Sequence, residues 1–224
     1  MDYKTPKLQP SQIARGLSRG VASFLIALAL MAPGIVYSGF IINDKDGWTN
    51  IREKPDGKAK VLGKVHKHQV FFSTGCDDNL IYTDNWEPVT AADISGYIFK
   101  KNIIQISSFP VIASEYVWLE DEEKRFFTAQ NDSITVTMKL TYNENRAVYH
   151  PYDIEEMVVK NGEKRTVIQP LMIVASHASF KLFIGDDGAL YLQVHNGSDG
   201  EGRVAWYSIV NGKVVFSATS YTSC

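Results

Sequence analysis

Two histidines two residues apart, His66 and His68 in the run HKHQ, have the spacing that sends alternate strand residues to one face, where a pair of imidazoles can chelate a metal. A site needs a further ligand, and Asp77 or Asp78 stands nearest in sequence. With no more donors than these, the pair reads as an exposed polar strand edge, and no metal or other cofactor is expected. Thiol catalysis asks for a cysteine with a histidine to take its proton. Only Cys76 and Cys224 are present, so His150, His177 and His195 have no plausible sulfur partner in the second half of the chain. A serine hydrolase would show a strained nucleophile turn such as GxSxG, and none occurs; Ser176, His177 and Ser179 read as a polar bend between apolar strands. Paired carboxylates can drive glycoside hydrolysis, yet the acidic run at residues 120–123 reads as a solvated face and Asp186 with Asp187 as a turn. No phosphate-cradling glycine loop and no EF-hand pattern appear. The chain is read as a protein without a catalytic set. An enzyme of another type in residues 109–224 would have to gather His150, Asp153 or His177 with carboxylates in one pocket.

The elements that position these residues begin after an N-terminal segment of a different kind. Lys4, Lys7, Arg15 and Arg19 precede an uncharged apolar stretch at residues 21–37, with Val36 and Ser38 where a signal peptidase reads its sites. Residues 1–38 are therefore expected to be a signal peptide, cleaved after Ser38; retained, the stretch would be a membrane anchor, though it is shorter than the roughly 20 apolar residues a span needs. Cleavage there is expected to leave an exported protein, periplasmic or secreted. Of 23 basic and 25 acidic residues, four and one fall in that segment, which leaves 19 against 24 and a mildly acidic remainder. Nucleic-acid binding is disfavoured, since phosphate neutralisation requires clustered cations and only the dispersed Lys58, Lys60, Lys64 and Lys67 remain. In an exported protein the two cysteines, Cys76 and Cys224, are candidates for one disulfide.

From Gly39 onward the punctuation is that of an all-β protein. Strand-like runs recur about every ten residues, with Asn161-Gly162, Asp187-Gly188 and Asn211-Gly212 as hairpin turns. Phe180, Leu182 and Ile184 alternate in phase, as do Leu190, Leu192 and Val194, then Val204, Trp206, Ser208 and Val210, with Val214 and Phe216 across the last turn. This predicts an antiparallel meander with one buried face. Earlier strands are expected at residues 134–142, 156–159 and 165–174, and residues 111–130 as a helix, a strand or both. Six or seven strands over residues 108–224 suit a sandwich or a partly open barrel. A connector, QISSFP at residues 105–110, sets the domain cut near 108, between residues 39–107 and 108–224.

Within the first of these domains, DGWTNIREKP at residues 46–55, VLGKV at 61–65, Trp86 and GYI at 96–98 together resemble a bacterial SH3-like (SH3b) domain over about residues 40–104. The resemblance implies a small SH3-like barrel that recognises a peptide or a cell-wall fragment. Its shallow aromatic groove would be formed from Trp48, Tyr82, Trp86, Tyr97 and Phe99, whose rings can pack on a peptide or on the apolar face of a sugar. Arg52 and Asn50 match the family signature and are expected to satisfy backbone groups at a strand end. The loop at residues 90–95 lacks the usual glycine, and Cys76, Asp77, Asp78 and Asn79 depart from the family pattern.

The expected function is thus that of an exported, non-enzymatic binding protein whose partner is a peptide, a peptidoglycan fragment or an envelope protein. The alternative is a periplasmic inhibitor or immunity-type protein that covers a toxin or hydrolase, with Asp77, Asp78 or residues 120–123 as the acidic plug. Affinity capture separates the two, one yielding wall polymer and the other a single protein.

Overall fold

The computed structural model describes residues 39–74, 81, 83–118, 126–131, 133–142, 151–170, 174–175, 177–197 and 202–221. The expected signal segment, Tyr82, both cysteines, Asp77, Asp78, His150 and residues 120–123 lie outside them. Seven strands build the first sheet: β1 (Gly39–Ile42), β2 (Trp48–Arg52), β3 (Val61–His66), β4 (Phe71–Ser73), β5 (Trp86–Ala91), β6 (Ile94–Phe99) and β7 (Ile103–Gln105). Ten more build the second: β8 (Val111–Trp118), β9 (Phe126–Asn131), β10 (Ile134–Tyr142), β11 (Pro151–Asn161), β12 (Lys164–Ile168), β13 (Val174–Ala175), β14 (His177–Ile184), β15 (Leu190–Gly197), β16 (Arg203–Val210) and β17 (Lys213–Tyr221). Among the described residues all ladders are antiparallel, and the only helical turns are 3-10 turns at Lys100–Asn102 and Ile106–Ser108. The chain is all-β, as its turn spacing predicted.

The expected small barrel is not closed. The first sheet runs β3-β2-β6-β5-β4-β1-β7, so β3 and β7 are free ends, and β2 meets β6 through one register pair, Arg52 with Tyr97. β1 pairs with β4 on one side and β7 on the other, and Ile41 of β1 and Ile104 of β7 turn to the rest of the molecule. Successive strand residues point to opposite faces, so Ile42 and Phe71 enter a small core with Ile51, Val65, Val89 and Ile98. Their neighbours Ile41 and Phe72 face the other way.

The second sheet, too, is not closed. Its order is β17-β16-β15-β14-β13-β11-β10-β9, with β12 on β11 and β8 on β14. It folds over itself: Val136, Met138, Leu140, Met157 and Val159 from one limb pack with Phe180, Leu182, Leu192, Val194 and Tyr207 from the other. Ten strands replace the six or seven expected, because residues 111–118 and 126–131 are both strands and the run predicted at 165–174 stops at Ile168.

The prediction of one buried face fails for β15 and β16. Leu190, Leu192 and Val194 enter the second sheet's own core, yet Tyr191 between them is 1% exposed, and Val204 and Trp206 are equally buried on the outer side. What covers that side is the first sheet: Ile41, Val70, Phe72, Ile106 and Phe109 pack against Phe183, Ala189, Tyr191, Val204 and Trp206. A fully buried side chain of this size contributes about 1.5–3 kcal/mol, so this shared core binds the two sheets strongly. The described residues accordingly belong to one compact unit.

Two hairpins show how turn chemistry sets these contacts. Val210 pairs with Lys213, so Asn211 and Gly212 are the whole loop, with φ of 52° and 77° as a type I′ turn requires. Asp187-Gly188, read as a tight turn, instead belongs to a loop of residues 185–189 between the paired Ile184 and Leu190. There Asp187 Oδ1 accepts the Ala189 backbone N–H at 3.1 Å, leaving Oδ2 for partners outside the loop.

Candidate functional site

An open cleft of about 300 Å³ lies on the first sheet. Alternation along β2 turns Thr49 and Ile51 inward and sets Trp48, Asn50 and Arg52 on the outer side, and Asn50 and Arg52 form one wall. Trp86 opens β5 directly opposite Phe99 at the end of β6, and the two rings form the aromatic wall, with centroids 5.3 Å apart and planes at 55°. Asn102, on the 3-10 turn that follows, and Gly57 complete the rim.

Each wall is held by local hydrogen bonds. The Trp86 N–H donates to Thr83 Oγ1 at 3.1 Å, the Lys100 N–H donates to the Asn85 carbonyl at 2.8 Å, and Lys100 Nζ donates to the Thr83 carbonyl at 2.9 Å. Asn102 Nδ2 donates to Thr49 Oγ1 at 3.1 Å, tying the 3-10 turn to β2. Arg52 Nη1 donates to the Ala59 carbonyl at 2.7 Å, which is the backbone-satisfying role its sequence position suggested. That bond uses one of the five N–H donors of a guanidinium. Among the described residues no carboxylate is in ion-pair range of Arg52, whereas Lys67, Lys139 and Arg165 are paired with Asp187, Glu155 and Glu156.

The five aromatics named from sequence separate into distinct environments. Trp86 and Phe99 line the cleft. Trp48 is half-buried and does not line the cleft; the Lys64 ammonium stands 3.7 Å from its ring centroid. Tyr97 is 6% exposed and its hydroxyl accepts the Ile81 N–H at 3.0 Å, so it is covered and does not line the cleft. Tyr82 lies outside the described residues.

His66 and His68 do not share a face. The chain leaves β3 at His66, and His68 takes φ of 67°, a left-handed conformation unusual for a residue with a Cβ. The imidazole is thereby swung to the second sheet: Nδ1 is 3.0 Å from the Tyr191 hydroxyl and Nε2 3.7 Å from Asp187 Oδ2, which also receives Lys67 Nζ at 2.9 Å. Among the described residues no group of three or more His, Cys, Asp or Glu side chains could hold a metal.

This cluster sits beside a cavity of about 150 Å³ walled by Ile41, Ile104, Phe109 and Tyr191 and edged by Asn43 and Asp187. Burial pushes the His68 pKa down; Asp187 opposes this and Lys67 adds to it. Burial works to raise Asp187, but the hydrogen bonds from Lys67 and the Ala189 N–H, with the charges of Lys67 and His68, hold its carboxyl below the usual range. Burial, then the Asp187 charge, drives the Tyr191 phenol well above its ordinary value. A neutral His68 accepting the Tyr191 proton's hydrogen bond, with its N–H toward Asp187, fits all three. The sequence reading missed this set because its members, 123 residues apart, carry no shared motif.

No protein-family model, no curated protein and no solved structure matches the chain.

Proposed function

We propose that this is a non-enzymatic binding protein of a bacterial periplasm or exterior, whose SH3-like half takes a peptide or a cell-wall fragment into the cleft between Arg52 and the Trp86–Phe99 pair. The observation that carries the reading is the cleft itself: an aromatic wall facing a polar wall that contains an oriented guanidinium with no ion-pair partner among the described residues. Apolar faces with a few placed polar groups are how small ligands are held. The resemblance of residues 40–104 to SH3-like modules supplies the ligand class.

The test is sedimentation of the purified chain with peptidoglycan, together with titration by short peptides. Trp86→Ala is expected to abolish binding while leaving the far-ultraviolet circular dichroism and thermal midpoint close to wild type, since Trp86 is only half-buried. Wild-type protein that binds neither wall polymer nor peptide would overturn the reading.

A further inference from the structure

Resting on that reading, we infer that the cleft selects a free carboxylate, the C-terminal carboxylate of a short peptide whose last side chain lies against Trp86 and Phe99. Arg52 carries the inference. Its Nη1 bond to the Ala59 carbonyl fixes the plane of the guanidinium, and its other donors have no partner among the described residues. A planar fork held in one orientation matches the two oxygens of a carboxylate, which it can engage with two parallel hydrogen bonds.

The flanking groups fit the rest of a peptide terminus. Asn102 spends one amide N–H on Thr49 Oγ1, which leaves its oxygen to accept the backbone N–H of the ligand's last residue. Asn50 lines the same wall, and among the described residues its amide has no side-chain partner. The opposing rings supply an apolar face for the terminal side chain, and at about 300 Å³ the cleft is at the small end of ligand sites, suited to one or two residues. A phosphate would call for several converging cations. Here one guanidinium converges with neutral amides, and the Lys101 ammonium stands 5.0 Å over the Phe99 ring.

Isothermal titration calorimetry of the full chain with three probes tests this: acetyl-Ala-Ala-Leu as the free acid, the same peptide as its C-terminal amide, and acetyl-Ala-Glu-Leu amide. The free acid is expected to bind about tenfold more tightly than either amide, the discrimination that one charge-assisted pair supplies. Arg52→Gln is expected to bring acid and amide within about twofold of each other. The wild-type comparison needs no variant, so it stands even where Arg52→Gln loosens the turn at Ala59. Equal binding of acid and amide overturns the inference, as does strongest binding of the glutamate peptide, which would place the carboxylate on a side chain. No binding of any probe, while peptidoglycan still sediments the protein in a Trp86-dependent way, overturns the carboxylate alone. Loss of both overturns the cleft as well.

Discussion

The His68 imidazole and the Tyr191 hydroxyl meet at 3.0 Å across 123 residues of chain, and the meeting joins the two sheets. It occurs at the edge of the shared apolar core, where Phe109 stacks on the same tyrosine at 5.9 Å. The left-handed backbone of His68, at φ 67°, is what brings the ring there. Such a conformation costs an L-residue about 1–2 kcal/mol, so the contacts it enables must offset that.

Stability should depend on pH through His68. Its folded pKa lies below that of the unfolded chain, because burial outweighs the attraction of Asp187. The unfolded state therefore takes up the proton first, and the free energy of unfolding is expected to fall as pH drops through about 6.5, levelling once the lower folded pKa is passed. Asp187 acts in a separate, more acid window: its lowered pKa contributes stability that is lost only as pH falls from about 4 through the folded value. Urea midpoints between pH 5 and 8 should show the first slope in wild type and a flatter one in His68→Gln. An unchanged slope in the variant would remove His68 from the account.

Tyr191→Phe should cost about 1–2 kcal/mol, since it deletes one hydrogen bond and leaves a half-buried imidazole nitrogen without its partner. Equilibrium urea unfolding at pH 7.5 measures this. A change within a few tenths of a kcal/mol would mean that the ring packing alone holds the joint.

Ala92 occupies a hairpin position with φ of 54°, where the loop between β5 and β6 lacks glycine. Ala92→Gly is expected to stabilise the protein by roughly 0.5–1 kcal/mol, the left-handed penalty less the entropy that glycine loses. A higher thermal midpoint is the expected observation, and a lower one would contradict it.

Gly39→Ala should act in the opposite direction. A Cβ there would lie 2.9 Å from Trp206 Cε2, 3.0 Å from Val70 and 3.2 Å from Ile106, where β1 approaches the second sheet. Overpacking of this kind costs about 1–3 kcal/mol. The measurement is the urea midpoint of the variant, and no change would show that the shared core yields without strain.

How far the sequence could be read depended on the range of the interaction. Strand β10 was predicted at its observed bounds because its apolar alternation is local and its turns flank it. The Asn211-Gly212 hairpin was typed correctly for the same reason, as positive φ at both positions is a property of two residues. Asp187-Gly188 was misread as a tight turn because composition does not count the residues between the last ladder pairs. In the cleft, Trp86 and Phe99 were named from sequence, and Tyr97 was grouped with them because it shares the strand phase of Phe99; what buries it is a contact with a distant segment, the Ile81 N–H on its hydroxyl, which no local pattern records.

The sequence by itself determined that this chain is all-β and where most of its strands run, because strand periodicity and turn chemistry are encoded within a few residues. Only the tertiary structure decided that neither sheet closes and that β15 and β16 are buried on both faces. It also decided that His68 serves the joint with Tyr191 and Asp187 instead of pairing with His66. These outcomes hang on one sheet packing against the other, and burial of a second face is a contact between distant segments that no local pattern records.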